Sequence, residues 1–205
     1  NTLVVAVADC TGHGVPGALM SMLGISFLNE ILTNSEEQSP GQILNELRNN
    51  IIHSLQQKGI QGEQKDGMDI ALISYNVAAR TLQYAGANSP LIIISGKKHE
   101  LTEIKPDRMP VAIHENMKPF TNHVVPVNKG DIIYLATDGY GDQFGGPEQR
   151  KFLSRRFKEL LLEISGKSMS HQKAILDETI EDWKNNYVEK YQQTDDITVM
   201  GLKLV

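Results

Sequence analysis

Three short apolar runs, far apart in the chain, each abut a carboxylate. Leu3-Val4-Val5-Ala6-Val7-Ala8 runs into Asp9, and Ile132-Ile133-Tyr134-Leu135-Ala136-Thr137 runs into Asp138. Asp195-Asp196 precede Ile197-Thr198-Val199-Met200. The runs are rich in β-branched residues and too short for helices, so they read as buried strands. A strand end that delivers a carboxylate beside glycine packs poorly. It is a good way to hold several carboxylates at one point of a sheet. Hard cations such as Mg²⁺ and Mn²⁺ need such clusters of oxygen ligands. The pattern points to a metal-dependent hydrolase.

The chain has 205 residues, enough for one domain (1–205) with a substantial core. Its net charge of −5 argues against a nucleic-acid binder dominated by phosphate contacts. A single cysteine, Cys10, rules out an internal disulfide and suits a reducing compartment, so a cytoplasmic location is expected, free or tethered through an upstream sensor or membrane segment. No apolar stretch reads as long enough to span a bilayer, and no secretory signal is present. The chain starts at Asn1 and enters a strand almost at once, which suggests the C-terminal part of a longer protein.

Asp9 opens the loop Asp9-Cys10-Thr11-Gly12-His13-Gly14-Val15-Pro16-Gly17. Pro16 suits the first turn of a helix. That helix, 16–32, carries Leu19, Met22, Leu23, Ile25, Leu28, Ile31 and Leu32, and is expected to be largely buried. Ser39-Pro40 starts a second helix with Ile43, Leu44, Leu47, Ile51 and Leu55 on one face. Residues 57–67 read as a mobile loop. Strands are expected at 70–75, 81–85, 91–95, 100–104, 121–127 and 132–137. Helices are expected at 148–163 and 169–186, and a closing strand at 197–204. Grouped helices and grouped strands give an α+β layered fold. The last strand is expected beside both 132–137 and 3–8, which would gather the acids.

Each acid has an ordinary alternative. Asp9 lies too far from Pro16 to cap that helix directly. Asp138-Gly139-Tyr140-Gly141-Asp142 could be a plain turn. Asp195-Asp196 could be a solvated strand end, although adjacent like charges repel and a cation relieves the cost. The three together are stronger than any one. His13 is the natural acid–base candidate near neutral pH, with a backbone-bonded loop histidine as the alternative. Cys10 reads as a small residue whose backbone matters, because a thiolate would suit softer metals. Asp66-Gly67-Met68-Asp69 leans to a turn before a strand. Arg108 reads as a surface arginine, and the remaining histidines form no metal-ligand spacing.

Four segments occur in order: Asp9 to Met20, Ala85-Gly86-Ala87-Asn88-Ser89-Pro90, Thr137-Asp138-Gly139-Tyr140-Gly141-Asp142-Gln143-Phe144, and Asp195-Asp196-Ile197-Thr198. As a set they resemble the SpoIIE/RsbU-type branch of the metal-dependent, type 2C-like serine/threonine phosphatases. The resemblance implies an α-β-β-α sandwich, with two mostly antiparallel sheets flanked by helices. It also implies a centre of two Mn²⁺ or Mg²⁺ ions. Asp9 would bridge both ions, and the Cys10 backbone carbonyl would serve one. Asp138 and Asp195 would bind the other, with Asp142 and Asp196 nearby for a third ion or bound waters. Relatives usually carry an earlier strand with a Gly-Asp-aromatic motif, which is missing here. His13 is offset from the histidine proposed as an acid in eukaryotic relatives. The implied substrate is a phosphorylated regulatory protein, typically an antagonist of an anti-sigma factor, with a sensor domain upstream. No nucleic-acid or membrane contact by this domain is implied, and a homodimer fits the layout. The rival reading is a catalytically weak regulatory or dimerisation module of the same fold.

Overall fold

The computed structural model describes residues 2–12, 14–34, 38–60, 66–185, 187 and 190–205. In chain order the elements are β1 (Thr2–Cys10), α1 (Val15–Asn34), α2 (Pro40–Ser54), β2 (Met68–Asn76), β3 (Thr81–Ala87), β4 (Leu91–Ile94), β5 (Leu101–Ile104) and β6 (His123–Pro126). They continue with β7 (Ile132–Ala136), α3 (Gly139–Asp142), β8 (Phe144–Gly145), β9 (Arg150–Lys151), α4 (Ser154–Ile164), α5 (Met169–Asn185) and β10 (Val199–Lys203). The chain is a mixed α/β protein with antiparallel sheets, and it divides into two compact units.

The first unit comprises residues 1–91 and 105–127. Its sheet runs β1-β2-β3-β6. The β1–β2 ladder extends from Thr2 opposite Asn76 to Cys10 opposite Met68. Alternation places Met68, Ile70 and Leu72 of β2 on one face, where they join Ala85 and Ala87 of β3. Helix α2 covers that face with Ile43, Leu44, Leu47 and Ile51, each no more than 1% exposed. Each such side chain contributes about 1.5–3 kcal/mol by leaving water. The start of α2 follows the expected signal: Ser39 N–H donates to Gln42 Oε1 at 2.9 Å, just ahead of Pro40.

Helix α1 departs from expectation. Only Gly17, Met20, Gly24 and Ile31 are buried, and one face alone packs into the core. Val15, Leu19, Met22 and Ile25 are more than 60% exposed. Apolar residues round most of a helix do not require burial on every side, and here they lie open. By length and composition α1 is also long and apolar enough to cross a bilayer, against the sequence expectation. Glu30 is its one charged residue, and scattered Ser, Gly and Asn break the apolar run without shortening the helix. Of the loop expected at 57–67, residues 61–65 lie outside the described residues.

The second unit comprises residues 92–104 and 128–205. Its sheet runs β10-β7-β4-β5. The last strand therefore pairs with β7, as expected, but not with residues 3–8, whose partner is β2 in the other sheet. Apolar patterning marks a strand without naming its neighbour. The core here is aromatic: Tyr140 meets Phe152 edge-on at 5.2 Å, and Phe152 meets Trp183 edge-on at 5.1 Å. The expected helix at 148–163 starts later, at Ser154. Residues 144–151 instead form the β8–β9 hairpin. Gly146 packs against the Trp183 ring and donates its N–H to the Trp183 carbonyl at 2.8 Å, and its φ of +72° is a left-handed position that a right-handed helix cannot hold.

Candidate metal centre

The first unit presents Asp9 near the end of β1, half-buried, with Asp69 of β2 directly opposite. Like charges facing each other across an antiparallel pair repel. Asn88 offsets part of this by donating Nδ2–H to Asp69 Oδ1 at 2.8 Å. Asn88 sits at φ +56°, a left-handed turn position that Asn tolerates better than most residues.

Thr11 fixes the loop that follows Asp9. Its N–H donates to the Gly67 carbonyl at 3.0 Å, and its Oγ1 accepts from Gly67 N–H at 2.9 Å. A Cβ at Gly67 would lie 2.4 Å from the Ala112 Cβ, so only glycine lets this strand start approach. The segment 66–69, read from sequence as a turn, thus helps build the acidic end of the sheet. Burial is the first cause pushing the Cys10 thiol up, and Asp9 adds to it, while a hydrogen bond with Ser21 opposes them. A thiol held protonated is a poor metal ligand, which suits the reading that Cys10 matters through its backbone.

The second unit holds the other acids. Asp138 follows β7 and begins the single turn α3, where Asp142 N–H donates to the Asp138 carbonyl at 3.0 Å. Asp138 keeps surface in solvent, yet its carboxyl is pushed above the usual carboxylate range. Partial burial is the first cause, and the neighbouring charges of Asp142 and Asp195 add to it. Lys151 of β9 pulls the other way and holds Asp142 Oδ2 at 2.8 Å. The charges of Asp142 and Asp195 thus both act on Asp138.

Thr137 places this group. Its Oγ1 donates to the Asp196 carbonyl at 3.1 Å and accepts from Thr198 N–H at 3.0 Å. Gln143, fully buried, receives Thr194 N–H on Oε1 at 3.1 Å and donates Nε2–H to the Gln192 carbonyl at 3.0 Å. The segment leading into Asp195 is thereby fixed to the loop after α3. Gly139 lets the two segments touch, since a Cβ there would stand 2.3 Å from the Asp196 carbonyl oxygen.

The donors are carboxylates with no competing thiolate, a set suited to Mg²⁺ or Mn²⁺. Each unit carries its own share: Asp9 with Asp69 in one, Asp138, Asp142, Asp195 and Asp196 in the other. His13 lies outside the described residues. Arg108 is exposed, and His123 stacks on Tyr84 while His99 meets Ser165 Oγ, so neither histidine joins the acids. Sequence reasoning missed Lys151 and the positioning roles of Thr137, Asn88 and Gln143. Thr137 and Gln143 flank or sit within the Asp138 motif, and that adjacency was the available signal.

The sequence profile of the Stage II sporulation protein E (SpoIIE) family matches residues 1–205. Among curated proteins, none matches closely enough to stand as a relative. Among solved structures, the SiaA-PP2C domain of Pseudomonas aeruginosa is 29% identical, with a TM-score of 0.85 over 98% of this chain and 76% of that one. The PP2C phosphatase domain of SpoIIE from Bacillus subtilis, solved with a fragment of its regulatory domain, is 15% identical. Its TM-score is 0.71, over 98% of this chain and 53% of that one. RsbX, solved in complex with magnesium, is 14% identical with a TM-score of 0.63, over 98% of this chain and 80% of that one. The last two likenesses show the fold.

Proposed function

Because this chain belongs to the SpoIIE family of PP2C-type serine/threonine phosphatases, we propose that it is a metal-dependent phosphatase domain, residues 1–205, acting on a phosphorylated regulatory protein in bacterial signalling. The observation that supports the metal requirement is the setting of Asp138: partial burial first, and then the charges of Asp142 and Asp195, disfavour its carboxylate, and Lys151 only partly offsets them. A carboxylate cluster short of positive charge is a cation site in waiting. RsbX, which shares the fold, was solved with magnesium.

In this reading Asp9, the Cys10 carbonyl, Asp138 and Asp195 are ligands, with Asp142 and Asp196 supporting a further ion or waters. Two bound Mn²⁺ or Mg²⁺ ions would supply an activated water and neutralise charge on the phosphoryl group. The chain's own part is to hold the donors ready. Thr137 and Gly139 set the position of Asp196 against the loop that bears Asp138. Thr11 and Gly67 set the path of the chain after Asp9. His13 is the candidate proton donor to the leaving seryl or threonyl oxygen. Such preorganisation lowers the cost of meeting charge that develops during transfer.

The substrate is proposed to be a phosphoserine or phosphothreonine on a small regulatory protein of the anti-sigma-factor antagonist kind. An upstream sensor is proposed to control it from the cytoplasmic side, acting through α1 and α2, which follow the Asp9 loop. The SpoIIE domain from Bacillus subtilis was solved together with part of a regulatory domain, which supports this layout. The test compares phosphate release from a phosphoserine protein with turnover of a phosphodiester. Release from the first alone is expected. Turnover of the diester without the monoester would replace this reading with a phosphodiesterase.

A further inference from the structure

The β8–β9 hairpin has one face turned inward and one outward. Phe144 lies opposite Lys151, and Phe152 N–H donates to the Gln143 carbonyl at 2.9 Å, which sets residue 143 against 152. Gln143 and Phe152 are buried. Alternation sends their neighbours to the other face: Asp142 and Phe144 on either side of Gln143, Lys151 and Leu153 on either side of Phe152. All four keep surface in solvent. Asp142 and Lys151 form an ion pair across one diagonal of this group. Phe144, 39% exposed, and Leu153, 45% exposed, occupy the other diagonal and flank the pair.

The fold does not call for a leucine at 153. Its φ of +75° and ψ of 140° border a region open almost only to glycine. It is also the N-cap of α4, a position that Ser, Asp, Asn or Gly fill well and Leu fills poorly. The backbone is fixed in this state, since Leu153 N–H donates to the Gly141 carbonyl at 2.7 Å and its own carbonyl accepts from Phe157 N–H at 3.1 Å. A large apolar side chain that strains its backbone, caps nothing and stands half in water is placed for a partner.

We propose that Phe144 and Leu153 grip apolar side chains on the polypeptide that flanks the phosphorylated residue of a protein substrate. Position selects that occupant. The charges of Asp142 and Lys151, between the two apolar groups, both act on Asp138, so the face adjoins the second unit's share of the metal centre. A phosphoryl group delivered to Asp138 brings its own chain across this face, whereas a small phosphate ester leaves both side chains uncovered. The inference rests on the phosphatase reading and adds what selects a substrate for it.

The test is steady-state kinetics with Mn²⁺ on three substrates: a phosphoserine peptide flanked by leucines, its counterpart flanked by serines, and p-nitrophenyl phosphate. The whole chain is compared with its Leu153→Gly and Phe144→Ser variants. The parent should show a KM about tenfold lower for the leucine peptide, and each variant should lose most of that preference through KM with kcat unchanged. Turnover of p-nitrophenyl phosphate should stay the same throughout. Leu153→Gly, freed of strain, should melt no lower than the parent. Equal KM for the two peptides in the parent, or a preference that survives both substitutions, would overturn the proposal. So would variants that slow all three substrates alike, or a Leu153→Gly protein that melts well below the parent. No release from any of the three by the parent would instead overturn the phosphatase reading, and this inference with it.

Discussion

Lys151 Nζ lies 2.8 Å from Asp142 Oδ2, and its charge also reaches Asp138, whose carboxyl it draws down against the push of Asp142 and Asp195. One lysine on a two-residue strand is therefore the built-in counter-charge of an acidic cluster. The ion pair is exposed on both sides, so as a stability element it contributes no more than about 1 kcal/mol. Its larger effect is on protonation. Lys151→Ala should leave Asp138 harder to deprotonate and move the acid limb of metal binding to higher pH, because the ligands must lose their protons first. Calorimetric titration with Mn²⁺ across a pH series checks this. An unchanged acid limb would separate Lys151 from the site.

Asp138 gives a prediction about stability with a definite sign. Its pKa is raised in the folded protein, so the folded state favours the protonated form. The metal-free protein then carries a penalty that is absent below the usual carboxylate range. The penalty grows as pH rises through that range and is complete above the raised value. Asp138→Asn should melt higher than the parent at neutral pH without metal, and the gap should close in acid. Adding Mn²⁺ should stabilise the parent more than the variant, since a ligand bound only by the folded state adds stability by mass action. Thermal melts with and without metal at both pH values read all of this.

Thr137 is expected to act through position. Thr137→Val keeps the shape of a buried side chain but strands the Asp196 carbonyl and Thr198 N–H it now serves. Leaving such groups unpaired costs about 1–3 kcal/mol. Metal affinity should also fall by about 10–100-fold, the usual range for groups that orient ligands. A loss of stability without a loss of affinity would make Thr137 a structural residue only.

Gly139→Ala tests the close approach of two segments. The new Cβ would meet the Asp196 carbonyl oxygen at 2.3 Å, and backbone must move to relieve it. Loss of metal binding is expected with the far-ultraviolet circular dichroism unchanged. Retained affinity would show that Asp196 is free to shift without consequence.

Much of this was legible in the sequence because strand runs and acidic motifs are local signals. Asp138 stands two residues past β7, close to where it was expected, and Asp142 follows at the end of the first turn; Asp195 lies four residues ahead of β10, which starts at Val199 rather than at 197. Four features were not legible. Helix α1 has apolar residues round most of its circumference, and composition cannot say which of them find a partner. The pairing of β10 with β7 alone, and of β1 with β2, depends on contacts between strands dozens of residues apart. Asp69 looked like part of a turn, yet the β1–β2 register sets it opposite Asp9. Lys151 sits in a hairpin that Gly145 and Gly146 create by packing against Trp183, where the sequence suggested a helix.

Metal binding by Asp9 and Asp138 is what the proposed phosphatase activity depends on. The most direct measurement is Mn²⁺-dependent release of phosphate from a phosphoserine protein, made alongside calorimetric metal binding for the parent, Asp9→Ala and Asp138→Ala. Release should require Mn²⁺, and each variant should lose both binding and release by more than the about 100-fold that supporting groups can cost. Metal-dependent release that survives both substitutions would contradict it.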